Sequence, residues 1–134
     1  MVQQSGDRKR PKLSEKGLLT PDNCVVTLID LQPQMLFGVS NFDRQSIINS
    51  NSVLCKAARV FGVPVVLSTV ETKGFSGNMW PQIQAIFPGQ IPIERSSMNS
   101  WDDKNFVAAI KKSGRKKILI AGLWTEKCVA PPTI

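Results

Sequence analysis

Histidine and tyrosine are both absent from the 134 residues of this sequence. Histidine is the commonest general base and a frequent metal ligand, so its absence excludes a Ser-His-Asp triad, a Cys-His dyad and any histidine-containing metal site within the chain. No apolar run approaches the ~20 residues that a membrane helix needs, and the polar, basic N-terminus lacks the apolar core of a secretion signal. We therefore expect no membrane association.

Cysteine is scarce and widely spaced, with only Cys24, Cys55 and Cys128 and no CxxC pair or zinc-site spacing. An odd number of isolated cysteines indicates free thiols in a reducing compartment, which predicts a cytoplasmic protein. Cys24 lies in a strand-like apolar run and Cys55 on a predicted helix, so both are interpreted as packing residues. Cys128 leaves two interpretations open, a buried structural cysteine or a nucleophile.

The net charge of +7 is concentrated in two segments, a leader that contains RKRPK at 8–12 and a cluster at 111–117. No aromatic residue is interleaved with the basic residues of the leader, so it offers bases no platform for stacking. The second cluster follows a predicted helix, where cations complement the helix dipole. We predict a flexible basic leader over 1–19 and one domain over 20–134, and we expect no nucleic-acid partner.

Short apolar, β-branched runs alternate with stripes of helical period along the domain. Strands are predicted at 24–30, 63–70 and 117–122, with a brief one near 91–94, and helices at 43–61 and 80–87 and from an N-cap at Ser100 to Gly114. Runs this short and apolar are typical of parallel strands that are buried on both faces. The alternation predicts an α/β fold, a three-layer, Rossmann-like parallel sheet flanked by helices.

Three polar features follow predicted strands, and the carboxyl ends of parallel strands share one edge of a sheet, where sites form. Asp30 is either a turn cap or a general base, and Arg95 is either an ion-pair residue or a fixed positive charge at a site. Cys128 falls in the first turn of a predicted helix with Thr125 as N-cap. That position favours the thiolate, predicts a lowered pKa, and leaves backbone N–H groups free to stabilise an oxyanion.

Four segments together resemble the isochorismatase-like cysteine hydrolases, the superfamily of the nicotinamidases and N-carbamoylsarcosine amidases. They are LIDLQ at 28–32, VPVVLSTVET at 63–72, IERSSMNSWDD at 93–103 and ILIAGLWTEKCV at 118–129. The resemblance is greatest to uncharacterised bacterial hydrolases that carry Arg in the triad. It implies a catalytic triad of Asp30, Arg95 and Cys128. It also implies a cis peptide between Leu123 and Trp124, which would turn the N–H groups of Trp124 and Cys128 into an oxyanion hole.

The implied activity is hydrolysis of a small amide-type substrate at its C–N bond through a thioester, with no cofactor and no metal, in a homo-oligomer. Family members continue past the nucleophile, whereas this chain ends six residues after Cys128 and carries the pair Pro131 and Pro132 there. We therefore expect the last strands of the family fold to be missing and the helix after the last strand to be short. The alternative is a non-catalytic truncated member that keeps the motif and associates with partners.

Overall fold

The structure is a computed structural model that describes residues 17–133. Most of the leader predicted over 1–19 therefore lies outside the described residues. Within 17–133, no helix has the length and apolar character needed to cross a bilayer.

Four parallel strands form a single sheet in the order β3-β2-β1-β4. They are β1 (Cys24–Ile29), β2 (Val65–Val70), β3 (Ile93–Arg95) and β4 (Lys117–Gly122). All six residues of β1 are buried, as expected of the strand that pairs on both sides. The four strands predicted from the apolar runs are confirmed.

Helices cover both faces of this sheet. They are α1 (Pro33–Phe37), α2 (Arg44–Val60), α3 (Pro81–Ile86) and α4 (Lys104–Lys112). Val26 and Leu28 belong to the same core cluster as residues of α2 and α3, whereas Val25 and Ile29 share a second cluster with α4. Because alternate side chains of β1 pack into two separate hydrophobic clusters, one on each face of the sheet, the predicted three-layer α/β fold is confirmed.

The beginning of α4 differs from the prediction that Ser100 is its N-cap. Asn99 caps a 3₁₀ turn at Ser100–Asp102, and α4 begins one turn later. Its N-cap is Asp103, whose Oδ1 accepts the Phe106 N–H at 2.8 Å. The correction has a simple cause, since the Asp103 carboxylate offers a stronger cap than a serine hydroxyl does and lies directly before the amphipathic stripe.

The described residues after β4, at 123–133, form short turns. A π-helical turn spans Thr125–Val129, in which the Ala130 N–H reaches the Thr125 carbonyl at 2.7 Å, and a 3₁₀ turn follows at Pro131–Thr133. The prediction of a short helix here is confirmed. Among the described strands β4 is at one edge of the sheet, and its residues are partly buried except for Ile118, which is exposed. The carboxyl end of β4 thus leads directly into the segment that carries Cys128.

Candidate functional site

Asp30 leaves the sheet directly after β1 in the left-handed region, with a φ of 57°. Its N–H still bonds to the Ser68 carbonyl of β2 at 3.1 Å, and its own carbonyl accepts the Gln32 N–H at 2.8 Å. A non-glycine residue with this φ is uncommon and costs backbone energy, and such residues cluster at functional sites. The reversal places the Asp30 carboxylate in the interior, where it is fully buried.

Arg95, the last residue of β3, forms a buried ion pair with Asp30 from Nη2 to Oδ1. The rest of its guanidinium is also satisfied, since Nε donates to Ser68 Oγ at 2.8 Å and Nη1 donates to the carbonyls of Ser97 and Met98. Ser68 is therefore a site residue that is not among those predicted from the sequence. The alternation of side chains along β2 places it on the same face as Val66. Arg95 is therefore a fixed positive charge held from three directions.

Cys128 lies in the π-helical turn that follows β4, and its helical position differs from the prediction. Trp124, rather than Thr125, is the N-cap, so Cys128 is the fourth residue of the turn. Its N–H donates to the Trp124 carbonyl at 2.7 Å and is not an orphan. The cis peptide implied between Leu123 and Trp124 is also wrong, because every peptide bond within 17–133 is trans. The earlier start of the turn aims the Trp124 carbonyl at the Cys128 N–H.

Trp124 is held by the segment that contains α1. Its indole Nε1 donates to the Met35 carbonyl at 2.9 Å. Gly38 lies so close to the ring that a Cβ added there would meet Trp124 Cζ2 at 2.7 Å. The backbone N–H of Trp124 lowers the pKa of the Cys128 thiol. One of the two N–H groups predicted for the oxyanion hole thus acts on the thiol.

Two pKa shifts describe the electrostatics of the site. Burial raises the pKa of Asp30, and it outweighs the opposing effects of the Arg95 charge and of hydrogen bonds from Arg95 and Cys128. Burial, followed by the charge and hydrogen bond of Asp30, raises the pKa of Cys128 to about 12, against the lowering by the Trp124 N–H and Arg95. The lowered pKa predicted for Cys128 is therefore wrong, because the sulfur is buried beside a carboxylate.

The structure brings the three sequence-predicted site residues into one buried cluster. Asp30, Arg95 and Cys128 are 0%, 3% and 1% exposed, and both Asp30 and Arg95 act on the thiol. Asp30 Oδ2 is buried and has no well-formed hydrogen bond from residues 17–133, so it can take a proton. No group of three or more His, Cys, Asp or Glu side chains within 17–133 could hold a metal ion. The arrangement combines a thiol, a proton acceptor and a fixed cation.

Comparisons with known proteins agree with this fold. The family model of the isochorismatase domain matches residues 24–132. The probable hydrolase YcaC of Escherichia coli (strain K12) is 34% identical over 117 residues, which are 87% of this chain and 56% of that protein. The chain thus spans little more than half the length of this relative.

Two solved structures are similar to this chain. YcaC from Pseudomonas aeruginosa, with hexane-2,5-diol and covalent acrylamide, superposes with a TM-score of 0.79 at 34% identity, covering 86% of this chain and 57% of its own. The E. coli YcaC gene product, described as an octameric hydrolase of unknown specificity, gives a TM-score of 0.78 at 34% identity, with coverages of 85% and 56%. With a family model that matches most of its length, this chain belongs to the isochorismatase family.

Proposed function

We propose that this protein is a cysteine-nucleophile hydrolase that cleaves the C–N bond of a small amide-type substrate through a thioester on Cys128. The observation that carries the proposal is the buried cluster in which the Asp30 carboxylate interacts with both the Arg95 guanidinium and the Cys128 thiol. Groups with perturbed pKa values that converge at the carboxyl edge of a parallel sheet are typical of active sites. Family membership supports hydrolysis as the class of reaction.

The first step follows from the protonation states of the pair. With a pKa near 12, the Cys128 thiol holds its proton at neutral pH, so it needs a base at the moment of attack. We assign that role to Asp30, whose Oδ2 is free to accept the proton as the sulfur bonds to the substrate carbonyl carbon. Arg95 stays charged throughout, so it stabilises anionic species but cannot carry the proton.

The second step needs donors for the oxyanion that forms as the carbonyl π bond opens. The N–H groups of Trp124 and Cys128 are our candidates. The Cys128 N–H now donates to the Trp124 carbonyl, so the π-helical turn has to rearrange before it can serve. When the tetrahedral species collapses, the C–N bond breaks and the leaving amine takes the proton from Asp30. Water then attacks the thioester with Asp30 as base, and the C–S bond breaks to return the thiol.

Access to the site also requires movement, because all three side chains are almost completely buried. The turn at Pro131–Thr133 contacts the turn at Ser100–Asp102, and these short segments follow Cys128 and Arg95 in the chain. Neither turn is part of the sheet or of a long helix, so they can open at low cost. We propose that substrate enters where these two turns meet.

An ammonia-release screen tests the proposal. The purified chain is incubated with a panel of small primary amides and ureas that do not alkylate thiols. Ammonia release should be lost in Cys128→Ala and retained in Cys24→Ala, a matched control whose thiol donates to the Thr20 carbonyl outside the site. Equal release by Cys128→Ala and the unmodified protein would overturn the proposal.

A second candidate function, a non-catalytic member that associates with partners, is favoured by the edge strand β4. Ile118 is exposed and Leu119 and Ile120 are only partly buried on this strand, and edge strands with apolar surface invite association. An E. coli relative is described as octameric, which supports a homo-oligomer here as well. Light scattering across a concentration series distinguishes the two functions, since assembly without ammonia release from any amide would favour the second.

A further inference from the structure

Gln32 is a buried polar side chain to which the mechanism above gives no role. It is fully buried, and its amide makes three hydrogen bonds to backbone groups of other elements. Nε2 donates to the Val70 carbonyl at 2.9 Å and to the Gly77 carbonyl at 2.6 Å, and Oε1 accepts the Val70 N–H at 3.0 Å. Both bonds to Val70 are of the kind that a neighbouring strand would make.

The hydrogen bonds of Gln32 to Val70 lie just beyond the point where the pairing of β1 with β2 ends. The pairing of β1 with β2 ends at Ile29 and Ser68, two residues before Val70. On the other side of β2, Val70 pairs with Arg95. The Gln32 amide therefore takes the place of the departed β1 strand, so that Val70 is held between Gln32 on one side and the Arg95 backbone on the other.

The same residue also fixes the turn that carries the carboxylate. The Gln32 N–H donates to the Asp30 carbonyl at 2.8 Å, while Asp30 itself has a φ of 57°. The backbone of the turn is thus tied to Gln32, and the Gln32 side chain is tied to β2. Because such a backbone conformation persists only where its surroundings enforce it, a release of the side chain should let the turn relax.

We propose that Gln32 is a positioning residue that fixes the Asp30 carboxylate against Arg95 and Cys128 by anchoring the turn at 30–32 to the end of β2. The inference rests on the function proposed above and adds a residue that touches none of the reacting atoms. The plain alternative is that Gln32 only stabilises the fold. A stabilising residue would affect all buried thiols alike, whereas a positioning residue acts on Cys128 through Asp30.

A double-mutant cycle separates these alternatives. The rate at which methyl methanethiosulfonate labels each cysteine at pH 8 is measured by peptide mass mapping in the unmodified protein, Gln32→Met, Asp30→Asn and the double variant. If Gln32 positions Asp30, Gln32→Met should speed Cys128 labelling about tenfold, the change that one pKa unit brings. In the Asp30→Asn background the same substitution should change the rate less than about twofold, because the carboxylate that it would displace is gone.

The controls keep structural damage apart from positioning. Gln82→Met introduces the same side chain at an exposed position of α3 and should leave Cys128 labelling unchanged. Cys55, a buried residue of α2, reports general loosening in every variant. If Gln32→Met fails to fold, Gln32→Asn decides, since it keeps an uncharged amide on a side chain that is too short to make all three bonds to β2 and Gly77, and the same acceleration of Cys128 labelling is expected.

Two results would overturn the inference, either an equal effect of the Gln32 substitution in both backgrounds or no effect in either. If Asp30→Asn alone leaves Cys128 labelling unchanged, the proposed function fails instead. The cycle therefore tells the two failures apart.

Discussion

Replacing Asp30 by asparagine should make Cys128 more reactive toward a small thiol reagent while it removes turnover. In the intact site the pKa of Cys128 is raised to about 12 by burial first and by Asp30 second. Asparagine keeps the size of the side chain and removes its charge. The thiolate then faces the Arg95 guanidinium and the Trp124 N–H without an opposing carboxylate, so the pKa of the thiol should fall.

The magnitude has two bounds. If the substitution brought the pKa from about 12 back to an ordinary thiol value near 9, the thiolate fraction at pH 8 would rise about a thousandfold. Burial, the largest cause, remains in the variant, so the gain must be smaller than that. A loss of even one pKa unit gives about tenfold. We therefore expect labelling by methyl methanethiosulfonate at pH 8 to speed up by between about 10-fold and 1,000-fold.

The assay follows the labelling rate of each cysteine from pH 6 to pH 10 by peptide mass mapping. Asp103→Asn serves as the matched control, since asparagine also caps a helix and this position lies outside the site. Cys55 is the internal reference and should label at the same rate in all proteins. Slower or unchanged labelling of Cys128 in Asp30→Asn would refute the electrostatic account of the site, because the carboxylate would then not be raising the pKa of the thiol.

Three further predictions concern packing, pH and capping. Gly38→Ala places a Cβ at 2.7 Å from the Trp124 ring, so the indole must shift and ammonia release should fall severalfold. Gly74→Ala, whose nearest contact is at 3.5 Å, is the control, and equal activities of the two variants would contradict the prediction. Burial raises the pKa of Cys55 to about 11, so the folded state retains a proton that the unfolded chain releases near pH 9. The free energy of unfolding measured by urea titration should accordingly fall from pH 9 to pH 11. If its slope against pH is no flatter in Cys55→Ala than in the unmodified protein, another group is responsible. Asp103→Ala removes the cap of α4 and should lower the free energy of unfolding by about 1 kcal/mol, whereas Asp103→Asn should stay close to the unmodified protein.

The strands and the convergence of site residues could be predicted because their signals are local. Runs such as that ending in Asp30 are apolar, β-branched and short, and parallel pairing places their carboxyl ends at one edge. The protonation of Cys128 could not be predicted, since it depends on burial and on Asp30, which lies far away in sequence. A helix N-terminus alone favours the thiolate, and only the three-dimensional structure shows that burial and a carboxylate outweigh it.

The local geometry after β4 could not be predicted from the sequence either. Thr125 is a good N-cap by residue type, but the turn begins at Trp124, whose indole is fixed by the Met35 carbonyl. Tertiary packing thus overrides local preference at this point. The role of Gln32 was hidden for a related reason, because its bonds join residues 38 and 45 positions apart in the chain.

The most direct test of the central claim is a search for the acyl-enzyme. An amide that the chain hydrolyses is mixed with the protein, the reaction is quenched in acid within one turnover, and the peptides are mapped by mass. We predict an adduct with the mass of the acyl group on Cys128, lost on treatment with hydroxylamine and absent from Cys128→Ala. Hydrolysis that continues in Cys128→Ala, or an acyl adduct found only on Cys24 or Cys55, would contradict the proposed mechanism.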